Sequence, residues 1–176
     1  NHIIFENLNN IILVGHSFAG SVISGVADRL KDRIQKLIYF DAMILIDGQK
    51  PFDITPKETV EQRIELAKKF GNNISIPVPS ADAFGVFDIK KSLLLEEKLT
   101  PHPLSAFQSK LILKNEVGNG IPLSYIFCTK PIYKSLESSR EVVRKMKWPI
   151  FELNAGHDAM LTHPKETLNL LMKICN

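Results

Sequence analysis

The 176-residue chain has no apolar run approaching the 18 or so residues that a membrane-crossing helix needs, so no membrane association is expected. Cysteine is scarce: Cys128 and Cys175 show no metal-ligand spacing, which argues against a zinc motif or a disulfide scaffold. Two cysteines without that spacing or a secretory context point to a reducing, cytoplasmic setting. Charge of one sign is also nearly absent. Twenty-two Lys and Arg face 19 Asp and Glu, and the basic residues are scattered in pairs such as Lys68-Lys69 and Lys90-Lys91. A nucleic-acid partner would call for a concentrated basic face, so none is expected. Internal repeats and low-complexity tracts are missing too.

What remains is the composition of a globular protein, 44% hydrophobic and 23% charged, long enough for one core. Its organisation reads as strands alternating with helices. After a helix end at residues 2–8 and the breaker Asn9-Asn10, Ile11-Ile12-Leu13-Val14 is a buried strand. Val22, Ile23, Val26, Ala27 and Leu30 follow at helical spacing, and Lys36-Leu37-Ile38-Tyr39-Phe40 is a second strand ending at Asp41. Strand, helix, strand in this order predicts a parallel crossover and a sheet covered on both faces. Later strands are expected over 122–128 and 148–153, with helices over 135–147 and from Pro164, the last presenting Leu168, Leu171, Met172 and Cys175 as one apolar face.

Residues 47–113 differ in character. Six prolines interrupt short segments there, from Pro51 to Pro103. Thr55-Pro56-Lys57-Glu58 resembles a capping box, and Val60, Ile64, Ala67 and Phe70 recur at helical spacing before Gly71. The division expected is a core of residues 1–46 and 114–176 with a cap inserted at 47–113. Phe52, Phe84, Phe87 and Phe107 could line a pocket under that cap or simply pack it onto the core.

The chemistry-bearing stretch is Gly15-His16-Ser17-Phe18-Ala19-Gly20, a serine between a buried strand and a helix with small residues on both sides. Such a nucleophile elbow pushes the hydroxyl out at the carboxyl edge of a sheet, where a base can reach it. The base candidate is His157, in the small-residue turn Asn154-Ala155-Gly156-His157-Asp158 after a predicted strand. Imidazole titrates near neutral pH and so suits proton transfer from a serine. A carboxylate should orient it. The loop Thr129-Lys130-Pro131-Ile132-Tyr133 contains no acid, which leaves Asp41, itself at a strand end, as the leading candidate and a turn or capping role as its alternative. The backbone N–H of Phe18 would face a developing oxyanion.

These motifs, with Tyr39-Phe40-Asp41-Ala42, Leu99-Thr100-Pro101-His102-Pro103-Leu104 and Gly156-His157-Asp158-Ala159-Met160, resemble those of the α/β-hydrolase superfamily, in the branch holding plant methylesterases, hydroxynitrile lyases and bacterial esterase-like relatives. The resemblance implies an α/β fold with a mostly parallel sheet and a serine hydrolase acting on a small carboxylic ester, with Ser17 as nucleophile, His157 as base, Phe18 as oxyanion donor and no cofactor. Asp158 stands where the family's lyases carry a lysine, which favours hydrolysis. The family acid position after the third strand is unfilled.

The family also has about four strands before the elbow, and residues 1–10 are too few to supply them. An apolar elbow strand without neighbours on that side would pair readily with another chain, so a second copy or a complementing N-terminal segment is expected there. Asn1 in place of Met agrees with a processed, trimmed or partial chain. The competing expectation is an impaired, non-catalytic fragment that keeps its pocket as a small-molecule binding or interaction module.

Overall fold

The computed structural model describes residues 1–175. Its elements run in chain order as α1 (His2–Phe5), β1 (Ile11–Ser17), α2 (Ala19–Arg29), β2 (Ile34–Ala42), α3 (Lys57–Phe70), β3 (Ser75–Ile76) and α4 (Ile89–Lys98). They continue as β4 (His102–Pro103), α5 (Leu104–Gln108), β5 (Leu123–Cys128), α6 (Glu137–Lys145), β6 (Ile150–Leu153), α7 (Ala159–Thr162) and α8 (Pro164–Cys175). Four strands form one parallel sheet in the order β1-β2-β5-β6, and β3 pairs with β4 in a separate antiparallel ribbon.

The alternation along β2 explains why the sheet is sandwiched. Leu37 and Tyr39 enter a core with Ile23 and Ala27 of α2, Tyr125 and Val143, while Ile38 and Phe40 enter another with Ile126, Leu153 and Ile174 of α8. Side chains of a strand point to opposite faces with period two, so the unbroken apolar run Leu37-Ile38-Tyr39-Phe40 must be covered on both. β1 is one of the two edge strands, β6 the other. Among the described residues the outer side of β1 has no partner, and Val14 is 43% exposed.

Two strands run longer than the sequence reading. β1 extends through the elbow to Ser17 and β2 through Asp41 to Ala42, because parallel pairing between them continues to the serine, with a register shift at His16/Ser17. The apolar face predicted for α8 is partly wrong. Leu168 and Met172 are exposed, whereas Leu171 and Cys175 do pack on the core, joined by Thr167, Leu170 and Ile174. Thr167 reads as polar, yet its burial rotates the docking stripe away from the one the apolar residues alone suggest.

Residues 47–113 attach through a third cluster, in which Ala67 of α3, Ile76, Leu104 and Phe107 pack on Met43, Leu45 and Leu136. Of the α3 face expected from its spacing, Ala67 is buried but Ile64 and Phe70 are exposed. The helix is therefore turned so that Arg63 faces inward. No described helix is long and apolar enough to cross a membrane.

Candidate active site

The turn after β1 depends on two glycines. A Cβ on Gly15 would lie 2.8 Å from the Ala19 carbonyl oxygen, and one on Gly20 only 2.3 Å from that of Met43, so α2 packs against the strand ends only where no side chain intervenes. Between them Ser17 has φ +54°, in the left-handed region that L residues rarely occupy. The surroundings hold it there: its carbonyl accepts from the Met43 N–H at 2.8 Å. Phe18, immediately before α2, has its N–H at a helix start, where intrahelical acceptors are lacking.

Asp41 sits in a second strained position, φ +39°, at the end of β2. The hydroxyl of Tyr125 on β5 pins that turn by donating to the Ala42 carbonyl at 2.6 Å and accepting from the Ala42 N–H at 2.8 Å. Strain of this kind persists only where neighbours over-determine it. The result is a carboxylate turned into the protein.

His157 follows β6 on the turn expected from the sequence and is 1% exposed. Its Nε2 lies 2.9 Å from Ser17 Oγ, and its Nδ1 lies 2.7 Å from Asp41 Oδ2. With Nδ1–H donating to the carboxylate, Nε2 is left to accept from the serine hydroxyl. The second Asp41 oxygen, Oδ1, accepts from Arg140 Nη2 at 2.8 Å and from the Cys128 N–H at 3.4 Å. Arg140 also donates to the Cys128 carbonyl at 2.8 Å, and its Nε has no partner. Burial disfavours the Arg140 charge, but Asp41 outweighs it and the guanidinium is held more firmly protonated than usual.

The imidazole is packed by other rings. Tyr133 stacks on it at 4.2 Å between centroids and 21° between planes, and Phe84 at 6.1 Å and 22°. His16 lies 4.4 Å away, and its Nε2–H donates to the His157 carbonyl at 3.0 Å. Burial, reinforced by His157, pushes the His16 imidazole down to about 4, so it is neutral at physiological pH. Asp158 turns toward His16, 3.9 Å from its Nε2, and burial raises its pKa. His16, His157 and Asp158 bring potential metal-ligand atoms within 4.8 Å of one another. Both nitrogens of His157 are nevertheless engaged by Ser17 and Asp41.

Ser17, Phe18 and His157 line a cavity of about 300 Å³ whose walls are mostly apolar. Residues 47–113 contribute Arg63, Ile76, Phe84, Leu99 and Phe107 among others. Phe52 stands behind Phe107, ring centroids 5.4 Å apart, while Phe87 is exposed and takes no part. Sequence reasoning missed Arg140, Tyr133 and Arg63. The first and last sit in predicted helices where nothing distinguishes them from solvated charges, and Tyr133 lies in a strand-end loop that offers no acid.

A doubly covered parallel sheet, with serine, histidine and aspartate in hydrogen-bond contact at its carboxyl edge beside an apolar cavity, defines a class: hydrolases. No family model matches the chain. It is 30% identical over 175 residues to a carbendazim hydrolyzing esterase of Nocardioides sp. (strain SG-4G), covering 92% of this chain and 69% of that protein. A putative chloroplastic methylesterase of Arabidopsis thaliana is 41% identical over 58 residues, 31% of this chain and 17% of its own length. Among solved structures, an extracellular α/β-hydrolase from a Paenibacillus species superposes with a TM-score of 0.85 at 28% identity, over 98% of this chain and 75% of that one. The chain belongs to the α/β-hydrolase superfamily and is a hydrolase of its esterase type.

Proposed function

We propose that the protein hydrolyses small carboxylic esters through an acyl-serine intermediate, with Ser17 as nucleophile, His157 as general base and acid, and Asp41 as the orienting carboxylate. The observation that carries this reading is the continuous relay of 2.9 Å and 2.7 Å contacts from Ser17 through His157 to Asp41. Ser17 Oγ attacks the ester carbonyl carbon while its proton passes to His157 Nε2. Asp41 stabilises the imidazolium that forms, and the Phe18 N–H donates to the oxyanion. Collapse of the tetrahedral adduct breaks the ester C–O bond, and the departing alkoxide takes the proton from His157. Water then repeats the sequence, releasing the carboxylic acid and restoring the serine.

Residues 47–113 act as the cap, supplying much of the cavity wall opposite the elbow. The names of the carbendazim-hydrolyzing and methylesterase relatives favour compact ester-like substrates. Two free cysteines, one of them buried, fit a reducing, cytoplasmic setting.

A fluorophosphonate probe tests the reading. Wild-type protein should be labelled and Ser17→Ala should not, with His157→Ala slowing labelling by about 10³-fold or more. Well-folded wild-type protein that resists the probe would overturn it in favour of a non-catalytic binding module.

A further inference from the structure

One cation on the cavity wall has no ion-pair partner among the described residues, the cavity's carboxylate Asp158 lying beside His16 instead. Arg63 is half-buried on the inward side of α3 and lines the cavity that holds Ser17 and His157. Its neighbours one turn away on the helix are Thr59, Val60, Leu66 and Ala67, so Glu58, Glu61 and Glu65 fall on other faces. Among the described residues no carboxylate lies within ion-pair distance of it. A guanidinium has five N–H donors. Here its partners are the Tyr133 hydroxyl, 3.4 Å from Nη2, and the face of Phe107, 4.9 Å from the guanidinium carbon. Both contacts orient the group without neutralising it.

The position matters as much as the charge. Arg63 meets the hydroxyl end of Tyr133, whose ring stacks on His157, whose Nε2 meets Ser17. A substrate carbonyl at Ser17 therefore has the guanidinium one phenol and one imidazole away, along a wall of apolar and aromatic side chains. A partly buried cation on the wall of an apolar cavity favours a ligand that is apolar where it meets that wall and anionic where it meets the guanidinium, because arginine pairs planar carboxylates through two parallel hydrogen bonds.

We propose that Arg63 is a specificity-determining residue that binds a carboxylate on the part of the substrate remote from the scissile bond, making half-esters of dicarboxylic acids the preferred class. This rests on the ester-hydrolysis reading above. Phe107 and Tyr133 hold the guanidinium ready, so little side-chain freedom is lost when the carboxylate arrives.

The test compares 4-nitrophenyl hydrogen suberate with 4-nitrophenyl octanoate, which differ by a terminal carboxylate in place of a methyl group. Wild-type protein should favour the suberate in kcat/KM, chiefly through KM, and Arg63→Met should lower the suberate-to-octanoate ratio by about 10- to 100-fold. Arg63→Lys should keep more of the preference than Arg63→Met. A ratio unchanged in Arg63→Met, with octanoate still hydrolysed by wild type, would overturn the role of Arg63 while leaving the hydrolase reading intact. A failure of that reading shows differently, as no turnover of either ester. Calorimetry of monomethyl suberate binding to Ser17→Ala, with and without Arg63→Met, then reads the carboxylate site without catalysis. Equal affinity in the two proteins would sink the proposal, and at least tenfold weaker binding without Arg63 would support it.

Discussion

The two walls of the cavity are built differently. On the sheet side, Ser17, Asp41 and His157 sit at strand ends, and Asp41 and His157 are almost fully buried, with the side-chain atoms that face the relay all hydrogen-bonded. On the side of residues 47–113, the wall is mostly apolar, packed largely through the third cluster, and its lone charge is half-buried. Strained backbone and buried ion pairs fix angles to the tolerance that proton transfer needs, whereas packed aromatic side chains fix only a shape and a polarity. One wall therefore suits chemistry and the other suits choice of substrate.

The sharpest way to break this contrast is at Arg140, the buried cation that pairs with Asp41 on the sheet side. Arg140→Met leaves a buried carboxylate without its cation and should cost about 3–5 kcal/mol of stability. Urea denaturation monitored by far-ultraviolet circular dichroism measures it. A loss under 1 kcal/mol would mean the Asp41 site is as loosely built as the opposite wall. Arg63→Met, by contrast, breaks no ion pair among the described residues.

His16 gives the next largest effect. Its pKa near 4 in the folded protein lies below its ordinary value of 6.5, so the unfolded chain takes up a proton first as pH falls. The stability it confers is complete above about 6.5 and is lost as pH drops toward 4. The whole window corresponds to on the order of 2–3 kcal/mol, allowing for a side chain still 27% in contact with solvent. Asp158, raised by burial, works in the opposite sense because the folded state holds its proton more tightly. Urea midpoints at pH 7 and pH 5 should accordingly converge in His16→Gln relative to wild type. Parallel pH slopes would show that the sheet-side wall tolerates a charged imidazole.

The same contrast sets what the sequence could reveal. Strand ends are legible because apolar runs stop abruptly, and Val14, Phe40 and Leu153 each precede a residue of the relay by only a few positions. Asp41 was legible as a candidate because it ends such a run, although its left-handed backbone and its bond to Arg140 depend on contacts 99 positions apart. The cavity wall was less legible. Helical spacing on α3 pointed to Val60, Ile64, Ala67 and Phe70, but of these packing against Met43 and Leu136 fully buried Ala67 alone and turned Arg63 inward. Thr167 shows the same on α8: a polar residue at the centre of a docking face is invisible to a pattern of apolar letters.

Tyr133 joins the two walls, and its ring and hydroxyl can be tested apart. The ring stacks on His157, a contact worth about 0.5–1.5 kcal/mol beyond buried area, so Tyr133→Leu should lower kcat/KM for a neutral ester about 3- to 10-fold by loosening the imidazole. The hydroxyl meets Arg63, and Tyr133→Phe keeps the ring while freeing the guanidinium. If the walls divide their work as described, Tyr133→Phe should recover most of the rate lost in Tyr133→Leu and still shift the suberate-to-octanoate ratio. Steady-state kinetics with the two esters separates these effects. Should Phe and Leu variants lose rate equally, the hydroxyl and not the ring would be steadying His157, and the cavity wall would be part of the chemistry.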